Sequence, residues 1–130
     1  MSTTPMNYTG DRSPSMTPAD ERRWGSIAHW VALATMVFSL GLGGFAASVV
    51  LWFIAKDKGP FVRQHAANAV NIQIITAVYL AISGVLMYVL VGFVTYPIVI
   101  VWAFVLHLIA ARRAHRGEWY DPPLTPHIFK

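Results

Sequence analysis

The chain has no cysteine, which excludes disulfides, thiol nucleophiles, zinc thiolates and iron–sulfur clusters. Charge is almost as scarce. Lys, Arg, Asp and Glu make up 12% of 130 residues, about half the share of a soluble domain, while apolar residues make up 55%. The six acids, Asp11, Asp20, Glu21, Asp57, Glu118 and Asp121, all fall outside the apolar stretches. A proton-coupled carrier normally keeps a carboxylate within the membrane, which argues against a small proton-driven exporter. There is no phosphate-binding glycine loop, no nucleophile elbow and no His-Glu-x-x-His pair. Gly41-Leu42-Gly43-Gly44 follows no strand and reads as a break between helices. An enzyme is not expected, and neither is a cofactor.

What is present is apolar sequence in blocks, on a length that sets a prior of one domain. Residues 1–19, rich in Thr, Ser and Pro, read as a disordered cytoplasmic tail, and no apolar run follows a basic start that would make them a signal peptide. Thr17 and Pro18 then suit a helix cap and first helical position. The fold class expected is an all-α membrane protein. It would be a compact bundle of four transmembrane or partly re-entrant helices arranged as two hairpins, at about 22–40, 45–56, 61–90 and 96–116. The second helix is short. About eleven apolar residues rise only roughly 16 Å against a hydrocarbon core of about 30 Å, so the first hairpin either crosses or dips and returns. Residues 117–130, Pro-rich with Trp119 and Tyr120, suit a segment lying at the interface.

The net charge of +4 admits either nucleic acid or a membrane surface as partner. Position decides. Arg12, Arg22 and Arg23 precede the first helix, Lys56, Lys58 and Arg63 lie between the second and third, and Arg112, Arg113, Arg116 and Lys130 follow the fourth. The other two connections carry no charge. Two hairpins put every basic residue on one side, which the positive-inside rule makes cytoplasmic. The expected location is a bacterial inner membrane, multi-pass, with both termini cytoplasmic. The expected partners are membrane lipids and other membrane proteins or further copies of the chain, and not nucleic acid.

A few polar side chains remain inside the apolar blocks. His29 is six residues inside Arg23, His107 five inside Arg112, and Asn68 five inside Arg63, with Asn71 and Gln73 beyond. These share a layer roughly 8 Å below the basic boundary. Gln64, Asn68 and Asn71 form one stripe at helical spacing. One reading is a vestibule in which His29, His107, Asn68 and Asn71 bind a substrate, headgroup or peptide. The other, favoured two to one, is an interhelical hydrogen-bond network that fixes packing. A metal on His29, His65 and His107 is disfavoured because no carboxylate joins them at that depth. Ala28 and Ala32 on the first helix, and Ala66, Ala77, Ala81 and Gly84 on the third, read as faces for close helix approach. Trp24, Trp30, Trp52, Trp119 and Tyr120 read as interfacial anchors.

The order of motifs resembles a known family. Glu21-Arg22-Arg23-Trp24 with Ala28-His29 opens the first helix, and the run from Lys56 through Arg63-Gln64-His65-Ala66 leads to Asn71-Ile72-Gln73. Arg116-Gly117-Glu118-Trp119-Tyr120 with Pro123-Leu124-Thr125 closes the series. This is similar to the Tic-twenty-like proteins, small bacterial membrane proteins distantly related to a membrane subunit of the chloroplast protein-import translocon. The resemblance implies a helical bundle in a cell membrane and supplies no reaction. It makes Arg63, Gln64, His65, Glu118, Trp119 and Tyr120 an interfacial motif. The function expected is a non-enzymatic helper, scaffold or subunit of a membrane complex. Transport or protein translocation through a polar vestibule is the alternative, and a lipid-directed enzyme with His65 or His29 as base ranks last.

Overall fold

The structure, a computed structural model, describes residues 16–130, so most of the expected tail lies outside the described residues. Four helices follow in order, with no strand among the described residues: α1 (Pro18–Phe38), α2 (Gly44–Ala55), α3 (Pro60–Leu86) and α4 (Gly92–His115). Thr17 starts α1, its hydroxyl oxygen accepting from the Asp20 N–H at 3.1 Å, with Pro18 in the first turn. The helix therefore starts at the cap that Thr17 and Pro18 suggest, four residues before the span expected at 22–40, and Pro18 and Ala19 belong to it.

The glycine-rich break is a closed turn. Gly41 N–H donates to the Met36 carbonyl at 2.6 Å, Leu42 N–H to the Ser39 carbonyl at 3.3 Å, and Gly43 N–H to Ser39 Oγ at 2.6 Å. At the far end of α3 the short 3₁₀ turn Met87–Val89 leads to Leu90 in the left-handed region (φ 69°), and α4 starts at Gly92. The uncharged link expected at 91–95 is thus mostly the first turn of α4. Pro97, near that helix's start, is accommodated inside it.

α1 and α3 are the central pair, each touching three other helices, while α2 and α4 lie on opposite flanks and do not touch. Small side chains make this approach close: Ala28, Ala32, Ala66, Ala69, Ala110 and Ala114 are all buried. Ala77 and Ala81 depart from the expected packing face and point outward.

The stretch Pro60–Val89 and α4 are each long and apolar enough to cross a membrane. Their outward faces carry Val78, Ile82, Val85, Val94, Ile98 and Val101, all exposed. A helix inside a soluble core would bury such a stripe.

Candidate functional site: a chain of buried histidines

Three helices each contribute one histidine to the centre of the bundle. His29 of α1, His65 of α3 and His107 of α4 are all 0% exposed, and Gln73, two turns beyond His65, is 1% exposed. Their nitrogens stand in series. His65 Nε2 lies 2.9 Å from the Glu118 main-chain carbonyl, and its Nδ1 lies 3.2 Å from His29 Nε2. His29 Nδ1 lies 3.3 Å from His107 Nδ1, whose Nε2 lies 2.8 Å from Gln73 Nε2.

The carbonyl end fixes the direction of every bond. A carbonyl only accepts, so His65 donates from Nε2 and, with one proton per ring, its Nδ1 accepts. His29 therefore donates from Nε2 and accepts at Nδ1. His107 must then donate from Nδ1, which leaves its Nε2 to accept from the Gln73 amide. Every ring donates once and accepts once.

This geometry is a chain and not a converging set. His29 uses its two nitrogens on two different partners, so the three rings do not point at one centre as ligands of a single metal must. Among the described residues no group of three His, Asp or Glu side chains is placed to hold a metal ion.

Gln73 reaches His107 because Gly44 leaves room for it. A Cβ on Gly44 would stand 2.5 Å from Gln73 Oε1 and 2.6 Å from its Cδ. The first residue of α2 thus packs directly on the amide that ends the chain. Nothing in the sequence spacing pointed to this contact.

The remaining expected layer residues face elsewhere. Asn68 and Gln64 both donate to the Tyr120 carbonyl, Asn68 at 2.6 Å. Asn71 pairs with the backbone of Phe129 twice, donating to its carbonyl at 2.9 Å and accepting from its N–H at 2.8 Å. Arg63 Nε donates to the Lys130 carbonyl at 2.8 Å. The polar stripe of α3 is therefore a rail for the segment 117–130, which leaves α4 at Gly117 (φ 76°) and folds back along α3. The layer expected from depth splits into two systems, with Gln73, His107, His29 and His65 inside and Gln64, Asn68 and Asn71 under the tail.

Aromatic rings seal the basic end. Trp119 packs on Phe61 at 5.4 Å, and Phe61 on His65 at 4.7 Å, which covers the mouth of the chain. Lys58 lies over Trp24 at 4.4 Å and Arg113 over Tyr120 at 5.2 Å. Partial burial pushes the Tyr120 phenol up, against the opposing pull of Arg113. Trp52 meets Phe129 edge-on at 5.0 Å, and its indole Nε1 is buried without a partner among the described residues.

A family model described as the magnetosome magnetite crystal formation protein family matches residues 20–129. The chain belongs to that family. No curated protein and no solved structure matches it. The likeness to Tic-twenty-like proteins is therefore corrected. The residues that carried it hold the bundle together: Ala28 and His29 at a helix crossing, His65 and Gln73 in the histidine chain, and Glu118 through its carbonyl. Such residues report an architecture, and unrelated roles share an architecture. The family is described by crystal formation and not by an enzymatic reaction.

Proposed function

From membership of a magnetite-crystal family, we propose that this chain is a multi-pass membrane protein that assists crystal formation without catalysing a reaction, as a scaffold or subunit of a membrane complex. The α3–α4 hairpin crosses the bilayer, with both termini cytoplasmic. The carrying observation is the coincidence of two long apolar helices with a chain whose Lys and Arg, among the described residues, all lie at one end of the helices.

The first hairpin is re-entrant. α2 has 12 residues and rises about 18 Å, short of the roughly 30 Å core. Its turn therefore ends within or just at the edge of hydrocarbon, where backbone donors need internal partners. Ser39 Oγ and the carbonyls of Met36 and Ser39 supply them, and Tyr96 Oη donates to the Leu40 carbonyl at 2.9 Å. The histidine chain ties this hairpin to the crossing one, since it runs through α1, α3 and α4. With each ring nitrogen already matched by protein, these groups serve packing better than they serve a vestibule.

Both hairpin tips, 39–43 and 87–91, are uncharged. On this topology no carboxylate faces the compartment opposite the cytoplasm, so iron is not ligated there by acids of the tips. The chain would act on crystal growth through the membrane and its neighbours in it. Two measurements test the reading. With no native cysteine, Lys58→Cys and Thr125→Cys should react with an impermeant maleimide from the cytoplasmic face, and Leu90→Cys only from the other. Labelling of all three from one face refutes the crossing. In magnetite-forming cells, loss of the chain should alter crystal size or shape while membranes persist, and unchanged crystals refute the helper role.

A further inference from the structure

Away from the histidine chain, α1 and α4 part near the basic end to leave an open groove of about 540 Å³. Ser26 and Trp30 line it from α1, and Ala111, Arg112, His115 and Arg116 line it from α4. The spacing is helical on both sides. Ser26 and Trp30 are four residues apart, as are Arg112 and Arg116, and Ala111 and His115. One stripe of α1 therefore faces two adjoining stripes of α4.

The groove exists because its floor is small. Ala111 is 0% and Ser26 7% exposed, while the half-exposed indole of Trp30 stands above them. Two guanidinium groups sit at its rim. Arg116 is shared with Glu118, Nε to Oε2 at 3.4 Å, with both side chains largely in solvent. Arg112 enters no ion pair among the described residues, whose pairs are Arg23–Asp20, Lys56–Asp57, Arg116–Glu118 and His127–Asp121. The carbonyls of Arg112, Arg113 and Ala114 near the end of α4 do not draw on these cations, because main-chain N–H groups already meet them. Arg116 N–H donates to Arg112 and Arg113, Gly117 N–H to Ala114, and Glu118 N–H to Arg113. Arg113 itself turns away, onto the Tyr120 ring.

The rim thus offers two guanidinium forks one turn apart and a third basic side chain in His115, above a serine hydroxyl and an apolar wall. Guanidinium forks match the planar pairs of oxygens on a phosphate, and basic pockets between helices at the cytoplasmic boundary suit phosphate-bearing headgroups. We propose that this groove binds an anionic phosphate group, carried on a membrane lipid with its glycerol and upper chain against Trp30, or free in solution. The lipid-borne form rests on the membrane placement given above, whereas phosphate binding as such does not.

Full-length protein in detergent, mixed with phosphatidylglycerol or phosphatidylcholine and analysed by native mass spectrometry, tests this. Two surface guanidinium groups should give phosphatidylglycerol a preference of about 30-fold. The R112Q/R116Q variant should lower that preference to within about threefold, and K56Q/K58Q, with the same loss of net charge elsewhere, should keep it. Should R112Q/R116Q lose helix content, the single variants R112Q and R116Q, each removing one charge, should each lower the preference to about fivefold. Millimolar inorganic phosphate that displaces the lipid, and itself binds with the same dependence on Arg112 and Arg116, assigns the site to the free anion. No preference in the natural protein overturns the proposal. So does a preference that survives in R112Q/R116Q, or one that K56Q/K58Q loses equally. Release of the protein from membranes by alkaline carbonate would refute the membrane placement alone, leaving the inorganic phosphate arm to judge the groove.

Discussion

Replacing His29 with leucine roughly keeps the volume of the side chain and removes both bonds at the centre of the histidine chain, 3.2 Å to His65 and 3.3 Å to His107. An N–H on His107 and a bare nitrogen on His65 are left facing apolar surroundings. In a water-excluding soluble core each unmet group costs about 1–3 kcal/mol, which would sum to about 2–6 kcal/mol. Between membrane helices the measured average is about 0.6 kcal/mol per bond, because the separated helices find other partners. His107 also has an escape. It can move its proton to Nε2 and donate to a flipped Gln73 amide, which leaves a bare nitrogen in place of an unmatched donor. On the proposed membrane placement the bilayer figure governs, and His29→Leu should destabilise by about 1–2 kcal/mol. The assay is reversible unfolding of the full chain in mixed micelles by sodium dodecyl sulfate, followed by far-ultraviolet circular dichroism. His29→Gln, which still donates and accepts, should recover at least half of the loss. Stability of His29→Leu equal to or above the natural protein would refute the packing role, since replacing a matched polar group by hydrocarbon can be neutral when the polar group contributes nothing. Nitrogen-15 spectra check the direction independently. His29 and His65 should carry their protons on Nε2 and His107 on Nδ1, and any other pattern contradicts the chain as described.

Gly44→Ala should cost about 1 kcal/mol in the same assay by pushing Gln73 off His107, and should cost nothing further in a Gln73→Ala background. Asn71→Leu removes both bonds to Phe129, so limited proteolysis within residues 121–130 should speed up by about tenfold while helix content stays unchanged. Equal cleavage rates would mean that Trp52 and Arg63 hold the end of the tail without Asn71.

Much of the architecture was legible because it follows from local rules. Apolar blocks of helical length, a Thr-Pro cap and a glycine-rich break are short-range signals, and they place four helices among the described residues. Boundaries moved where the chain turned without polar residues. Gly92 to Thr95 look like a link in sequence, yet the left-handed Leu90 makes the turn and α4 starts straight after it. Within the polar layer, depth along each helix was readable and direction was not. Asn68 and His65 are three residues apart on α3, yet Asn68 meets the tail backbone alone, while His65 links the Glu118 carbonyl to His29 in the interior. The Arg112–Arg116 groove carries no sequence signal for a related reason. Both arginines read as topology markers, and only the position of Ser26 and Trp30 across from them makes a concavity.

The sequence alone determined that no carboxylate lies within the apolar blocks, that cysteine chemistry is absent, and that the connections at 41–44 and 91–95 carry no charge. These are matters of composition and order, which need no contacts to be true. Tertiary structure decided which polar groups meet. Residues 29, 65, 73 and 107 come from three helices, and Glu118 enters through a carbonyl that every residue possesses. A main-chain oxygen carries no sequence signal, yet here it fixes the direction of four consecutive hydrogen bonds. It does so because a carbonyl can only accept.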